Sequence, residues 1–274
     1  MDDNTRGDHL GHTELAGRPE LSVEAVAGQL RALGVERGGV LLVHTSFRAV
    51  RPIEGGPVGL IEALRTAVGL DGTLAMLSYT GSEDEPFDPL TTPPAADLGV
   101  LADTFWRLPG VLRSTQPEAF AAVGPRAAQI VEGPLPIPPH RLESPVGHVY
   151  ELDGQVLLLG VGQDANTTLH LAEVLAGVPY GIPRHCTVLQ NGRPVRIDYV
   201  ENDHCCERFA LLDDWLRGTG LQAEGPVGHG HARLARAREI VRVALEHLAR
   251  DPLVFLHPPA ASCDECNLAR ANIR

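Results

Sequence analysis

Residues 156–173, VLLLGVGQDANTTLHLAE, constrain this chain more than any other stretch. Four consecutive apolar residues without alternation mark a strand buried on both faces, the signature of a parallel sheet covered by helices on either side. Gly160 and Gly162 then break the run, and a helix opens at Thr167 with His170 and Glu173 three residues apart on one face. A strand, a glycine turn and a helix with a polar first turn place reactive side chains at the carboxyl end of the strand, where open α/β sheets bind their ligands.

The rest of the chain repeats the theme and then departs from it. Ser22 caps an amphipathic stretch with Val23, Val26, Leu30 and Leu33 on one face and Gly34 at its end. Val40 to Val43 is a second buried strand, ending at His44-Thr45-Ser46-Phe47; a helix from Pro57 and a strand from Thr73 to Tyr79 follow. Residues 81–98, rich in carboxylates and prolines and without period, are too long for an ordinary connection and are expected to be a functional loop. Thr187 to Gln190, Asn191-Gly192 and Val195 to Val200 form a hairpin with a type I′ turn signal. Helices are expected at 207–217 and 232–249, with a last strand over Leu253 to Leu256. The fold class is therefore α/β, a central mostly parallel sheet flanked by helices with an antiparallel minor part. Residues 21–274 are expected to be a single domain, with the antiparallel extension around 180–206 and a flexible terminus at 1–20.

Charge narrows the partners. Lys and Arg number 23 against 35 Asp and Glu, all 23 being arginine, for a net charge of -12. Phosphate backbones require positive charge, so nucleic acid is not an expected partner. No apolar run is long enough to span a membrane and no secretory pattern opens the chain, which predicts a soluble, cytoplasmic protein with no membrane partner. Walker and Rossmann glycine fingerprints are absent, and no G-x-S-x-G elbow surrounds Ser46.

The residues that carry chemistry fall into three groups. His170 is a candidate general base, because Glu173 can hold one ring nitrogen and leave the other to accept a proton; Thr168 and the open N–H groups of the helix start are candidate oxyanion donors. Glu83-Asp84-Glu85 and Glu201-Asn202-Asp203-His204 supply carboxylates that suit a polycationic ligand if the fold brings them to one cleft. Cys263 and Cys266 have the spacing of half a zinc site, whose other half could come from the Cys205–Cys206 pair, adjacent residues that point to opposite sides, or from Cys186; the set expected as a structural centre is Cys186, Cys206, Cys263 and Cys266, and the alternative is a cluster of buried thiols.

The segments LLVHTSFRAVRP, GTLAMLSYTG, EDEPFDP, DTFWRLPGVLRS, AFAAVGP, LLLGVGQDANTTLHLAE, VPYGIPRHC and ENDHCCERFAL, in this order, resemble the aminoglycoside 3-N-acetyltransferases of the antibiotic N-acetyltransferase family, in the branch accepting apramycin as well as gentamicin-type drugs. The likeness runs from about residue 22 to the end. It implies transfer of acetyl from acetyl-CoA to the 3-amino group of a 2-deoxystreptamine ring, on a fold distinct from that of most acetyl-CoA enzymes. His170 matches the family's catalytic histidine, Glu173 its acidic companion and Thr168 a hydroxyl near the acyl carbonyl. The segment His44, Thr45, Ser46 and Phe47, with Arg113 and Ser114, matches the parts that meet CoA. Tyr79, Glu83, Asp84, Glu201 and Asp203 are the corresponding drug contacts. Two positions depart from the pattern: Gln116 stands where a histidine is common, and Glu83 where a shorter aspartate is expected. Two other functions fit the residues less fully, an N-acetyltransferase for another amine and a non-catalytic binder of cationic drugs.

Overall fold

In the computed structural model, residues 17–273 are described. The terminus expected to be flexible lies mostly outside them. The Ser22 hydroxyl accepts from the Ala25 N–H at 3.2 Å and starts α1 (Val23–Leu33), which Gly34 ends at φ 112°. β1 (Val40–Thr45), α2 (Phe47–Val50), α3 (Gly56–Val68), β2 (Thr73–Leu77), α4 (Gly99–Phe105), β3 (Leu112–Arg113) and β4 (Phe120–Val123) follow. Next come α5 (Ala127–Val131), α6 (Pro145–Glu151), β5 (Gln155–Leu159), α7 (Thr168–Ala176), β6 (Ile182–Gln190) and β7 (Arg193–Glu201). The chain closes with α8 (Leu211–Thr219), β8 (Ala223–Val227), β9 (Gly230–Arg236), α9 (Ala237–Leu248) and α10 (Asp264–Ala271).

Seven strands form one sheet in the order β3-β4-β2-β1-β5-β9-β8. The centre, β2-β1-β5, is parallel, as the unbroken apolar runs require; antiparallel pairs extend it on both sides. Val40, Leu42, Val156 and Leu158 face the layer containing α7 and α9, whereas Leu41, Val43, Leu157 and Leu159 face the layer of α1 and α3. Each such side chain contributes about 1.5–3 kcal/mol by leaving water, so a polar residue at any of these eight positions would be costly. β6 and β7 make a separate two-stranded sheet whose turn residues Asn191 and Gly192 both have positive φ, 52° and 73°, as a type I′ turn demands. The acidic loop is pinned to this hairpin: Phe87 is buried, bridges Val188, and donates its N–H to the Thr187 carbonyl at 3.0 Å.

Two sequence expectations fail, both near the C-terminus. The helix predicted over 232–249 begins only at Ala237, because Gly230–Arg236 pairs with β5 on one side and β8 on the other. Ala, Arg and Leu favour helix, but ladder bonds to two strands and the burial of Ala232 and Leu234 outweigh a propensity of a few tenths of a kcal/mol per residue. Leu253 to Leu256 is not a strand. Its N–H groups close tight turns, Val254 onto Asp251 and Leu256 onto Leu253, while Phe255 packs edge-on against Phe209 at 4.9 Å. A short apolar run says that a segment is buried and nothing about its hydrogen bonds.

Candidate active site

The carboxyl ends of β1 and β5, the start of α7, the acidic loop and the end of β7 converge on a cleft of about 630 Å³. Gly160 turns the chain out of β5 at φ 72°, and a Cβ there would stand 2.6 Å from the Ala49 Cβ, so only glycine fits. The Asn166 side chain then accepts from the Thr168 N–H at 3.1 Å, capping α7 from outside its first residue. Thr167 and His170 line the cleft. Thr168, expected there, does not: its hydroxyl is buried beneath the helix start with no hydrogen-bond partner.

His170 is held on two sides. Its Nδ1 lies 2.9 Å from Glu173 Oε2, and the stacked His140 ring centroid is 5.1 Å away. The other Glu173 oxygen takes His204 Nε2 at 2.8 Å and the Tyr180 hydroxyl, so this fully buried carboxylate has three partners. Burial alone pushes the Glu173 pKa up, but His204 and His170 reverse it and hold the group at about 2. Burial likewise works against charge on His170. The net shift is nevertheless well upward, because Cys206 and Glu173 face its two nitrogens. Cys206 Sγ is 3.5 Å from His170 Nε2 and 3.2 Å from the His204 carbonyl. His140 and His44, by contrast, are driven by burial to about 3 and about 4 and remain neutral.

The acidic residues of two distant segments meet as expected. Glu83, Glu201 and Asp203 all line the cleft, as does Tyr79, whose hydroxyl donates to Asp97 at 2.8 Å. Asp84 does not; it points outward to His185 Nε2 at 2.8 Å. Arg184 of β6 pairs with both Glu83 at 3.1 Å and Asp203. Glu118, just before β4, was not foreseen. Desolvation in the cleft, then Glu201 and Asp203, push its pKa up to about 8; desolvation and Asp203 push Glu201 up to about 7. Nothing around Glu118 in the sequence marked it, since its neighbours in AFAAVGP read as a plain buried strand.

Among the expected CoA contacts, His44 and Thr45 line the cleft, with His44 Nε2 and Thr45 Oγ1 buried and unpartnered. Ser46 and Phe47 begin α2 just beyond, Phe47 packing into the α1–α3 layer. Arg113 and Ser114 are elsewhere. The Arg113 guanidinium lies over Phe87 and Trp106 and donates to the Ser78 and Thr92 carbonyls, clamping the acidic loop. Ser114 is buried, accepts from the Phe120 N–H at 3.0 Å, and shares a small separate recess with Gln116. The cysteine set also needs correction. Adjacent cysteines turn to opposite sides, so Cys206 faces His170 while Cys205 faces Cys266 at 3.6 Å; Cys186 is buried in β6 beside Glu118 and Tyr199. Cys186, Cys206, Cys263 and Cys266 do not form one centre.

A profile of the aminoglycoside 3-N-acetyltransferases matches residues 42–249. The chain belongs to that family. It is 68% identical over 232 residues to aminoglycoside N(3)-acetyltransferase IV of a Salmonella species, covering 85% of this chain and 89% of that one. The apoenzyme structure of aminoglycoside acetyltransferase AAC(3)-IVa superposes with a TM-score of 0.92 at 65% identity, over 93% of this chain and 99% of that one. A histidine-to-alanine mutant of AAC(3)-IVa in complex with apramycin gives 0.86 at 62% identity, over 91% and 100%. This family member therefore has the α/β acyltransferase architecture that its motifs implied. No helix among the described residues is long and apolar enough to cross a membrane.

Proposed function

We propose that this acetyltransferase moves the acetyl group of acetyl-CoA directly to the 3-amino group of apramycin and gentamicin-type aminoglycosides, with His170 as the base. The observation that carries the reading is the fixed His170–Glu173 pair opening into a cleft walled by Glu83, Glu118, Glu201 and Asp203. A drug with several ammonium groups finds there both countercharge and, at one amine, a proton acceptor. Glu173 remains a carboxylate and stabilises the imidazolium that forms when His170 takes the proton. The amine lone pair attacks the thioester carbon, the C–S bond breaks, and CoA leaves as thiolate to collect a proton.

The acyl donor meets the carboxyl end of β1, where the buried, unpartnered His44 Nε2 and Thr45 Oγ1 leave donors or acceptors for it. Unpaired buried polar atoms cost about 1–3 kcal/mol each, and a bound thioester or pantetheine amide relieves that cost. The N–H groups of Thr168, Leu169 and His170 are already taken by Asn166 and Thr167, so the developing oxyanion falls to the Thr167 side chain, which lines the cleft.

Cys206, 3.5 Å from His170 Nε2, raises a second route through an acetyl-cysteine. Direct transfer is favoured because Cys206 is outside the cleft lining and its sulfur is engaged by the His204 carbonyl. Mixing enzyme, acetyl-CoA and apramycin should release one thiol per drug acetylated, with the product carrying acetyl on the 3-nitrogen by NMR. Thiol release without drug, leaving a stable 42-dalton adduct on Cys206, would establish the covalent route instead; no thiol release with any drug would leave a binder.

A further inference from the structure

We infer that Cys205, Cys263, Cys266 and His257 form a zinc site that fastens the C-terminal helix to the segment carrying the catalytic network. The Cys205, Cys263 and Cys266 sulfurs all lie within 4.8 Å of one another, and a ring nitrogen of His257 is within that distance of Cys205. Zinc–sulfur bonds of about 2.3 Å in a tetrahedron put sulfurs ~3.8 Å apart. The Cys205–Cys266 separation is 3.6 Å, close to that spacing and far from the ~2.05 Å of a disulfide.

The surroundings fit the metal rather than a packing cluster. Cys263 and Cys266 bracket the first turn of α10 in the C-x-x-C spacing that lets two sulfurs converge on one ion. Cys266 is fully buried, and its sulfur accepts the His257 backbone N–H at 3.4 Å. His257 Nε2 is 3.1 Å from Glu207, a carboxylate that holds the ring beside Cys205. The three sulfurs form one group, and His257 meets it at Cys205; with its ring turned onto the ion, three sulfurs and one imidazole would make a closed set with no position for water, that of a structural centre.

Its place in the fold gives it a consequence. Cys205 lies between His204, which holds Glu173, and Cys206, which faces His170. A metal there ties residues 257–266 to the segment that positions the base from behind. None of the four residues lines the cleft, so losing the metal should loosen the base without removing any group that touches drug.

The test is metal content and spectroscopy of the whole purified chain. Protein prepared without chelator should carry about one zinc per chain, released by a mercurial reagent. Refilling stripped protein with Co²⁺ should produce the thiolate charge-transfer and d–d bands of a tetrahedral sulfur-rich site. Cys263→Ser should lose the zinc and the bands, whereas Cys186→Ser, in β6, should keep both. Because Cys263→Ser can fail to fold, the wild-type cobalt spectrum stands by itself as a measurement. Less than a tenth of a zinc per chain together with no cobalt bands would overturn the assignment, as would a Cys205–Cys266 disulfide in freshly isolated protein. Retention of zinc by Cys263→Ser would overturn it too.

Discussion

Glu173, buried against His170, and Glu118, in the lining of the cleft that His170 enters, are two recessed carboxylates with opposite fates. Glu173 is surrounded by His170, His204 and Tyr180 and sits at about 2. Glu118 faces Glu201 and Asp203 and sits at about 8. Both lose hydration; the difference lies in whether the chain supplies the countercharge. Arg184 pairs directly with Glu83 and Asp203, while Glu118 and Glu201 feel Arg184 and His170 only at a distance, too weakly to offset burial and the neighbouring carboxylates. A carboxylate satisfied from within orients a catalytic group, and one left wanting is ready for a cation from outside.

The sharpest way to break this comparison is at the group both sides serve. His170→Ala should lower kcat by about 10² to 10⁴-fold while leaving drug affinity near wild type, measured by steady-state kinetics beside calorimetry. Turnover within a few-fold of wild type would remove His170 from the mechanism. Glu118→Gln should raise the apramycin Kd by roughly ten- to a hundredfold, the ~1.5–3 kcal/mol of one charge-assisted contact, with kcat changed far less. The opposite pattern, kcat lost and Kd kept, would place Glu118 with the catalytic groups.

The pH profile separates the two carboxylates further. His170 acts as a base only when neutral, and its raised pKa puts the acid limb of kcat/KM above about 6.5. Glu173→Gln removes a charge that favours the imidazolium, so the limb should move to lower pH. An unmoved limb would mean that another group controls it.

Stability supplies a smaller signal with opposite signs in two windows. Glu173 has a folded pKa of about 2, below the ~4.3 of an unfolded glutamate, so its stabilisation is present above about pH 4 and fades as the pH falls toward 2. Glu118 and Glu201, at about 8 and about 7, ionise first in the unfolded chain. They leave the folded state progressively less stable as the pH climbs from about 4 to about 8. Melting curves between pH 5 and pH 8 should show that decline in wild type and a flatter one in Glu118→Gln. Least of all, Thr168→Val removes an unpartnered buried hydroxyl and should be neutral or stabilise by at most about 1 kcal/mol. A loss of activity beyond a few-fold would return Thr168 to the acyl pocket.

Much of the site was legible because local rules wrote it. His170 and Glu173 are three residues apart on a helix, so their contact needs no tertiary fold; the glycine turn after β5 announces the cleft mouth. Arg113 shows where that logic ends. The family resemblance assigns it with Ser114 to the CoA contact, and no local rule shows that the folded chain engages the guanidinium with Phe87, Trp106 and loop carbonyls. Cys205 and Cys206 show it again: the sequence says that they diverge, and only the fold says which one meets Cys266.

The sequence by itself determined the parallel centre of the sheet, the hairpin, the His170–Glu173 pair, and membership of an acetyltransferase family, because each rests on periodicity, turn chemistry or motif order within short stretches. Tertiary structure alone decided that Gly230–Arg236 is a strand, that Arg184 occupies Glu83 and Asp203, and that Glu118 is an unpaired acid in the cleft. Those outcomes depend on which segments, tens of residues apart, share a ladder or a solvent-poor space, and neither hydrogen bonding nor desolvation between remote segments is encoded in local order.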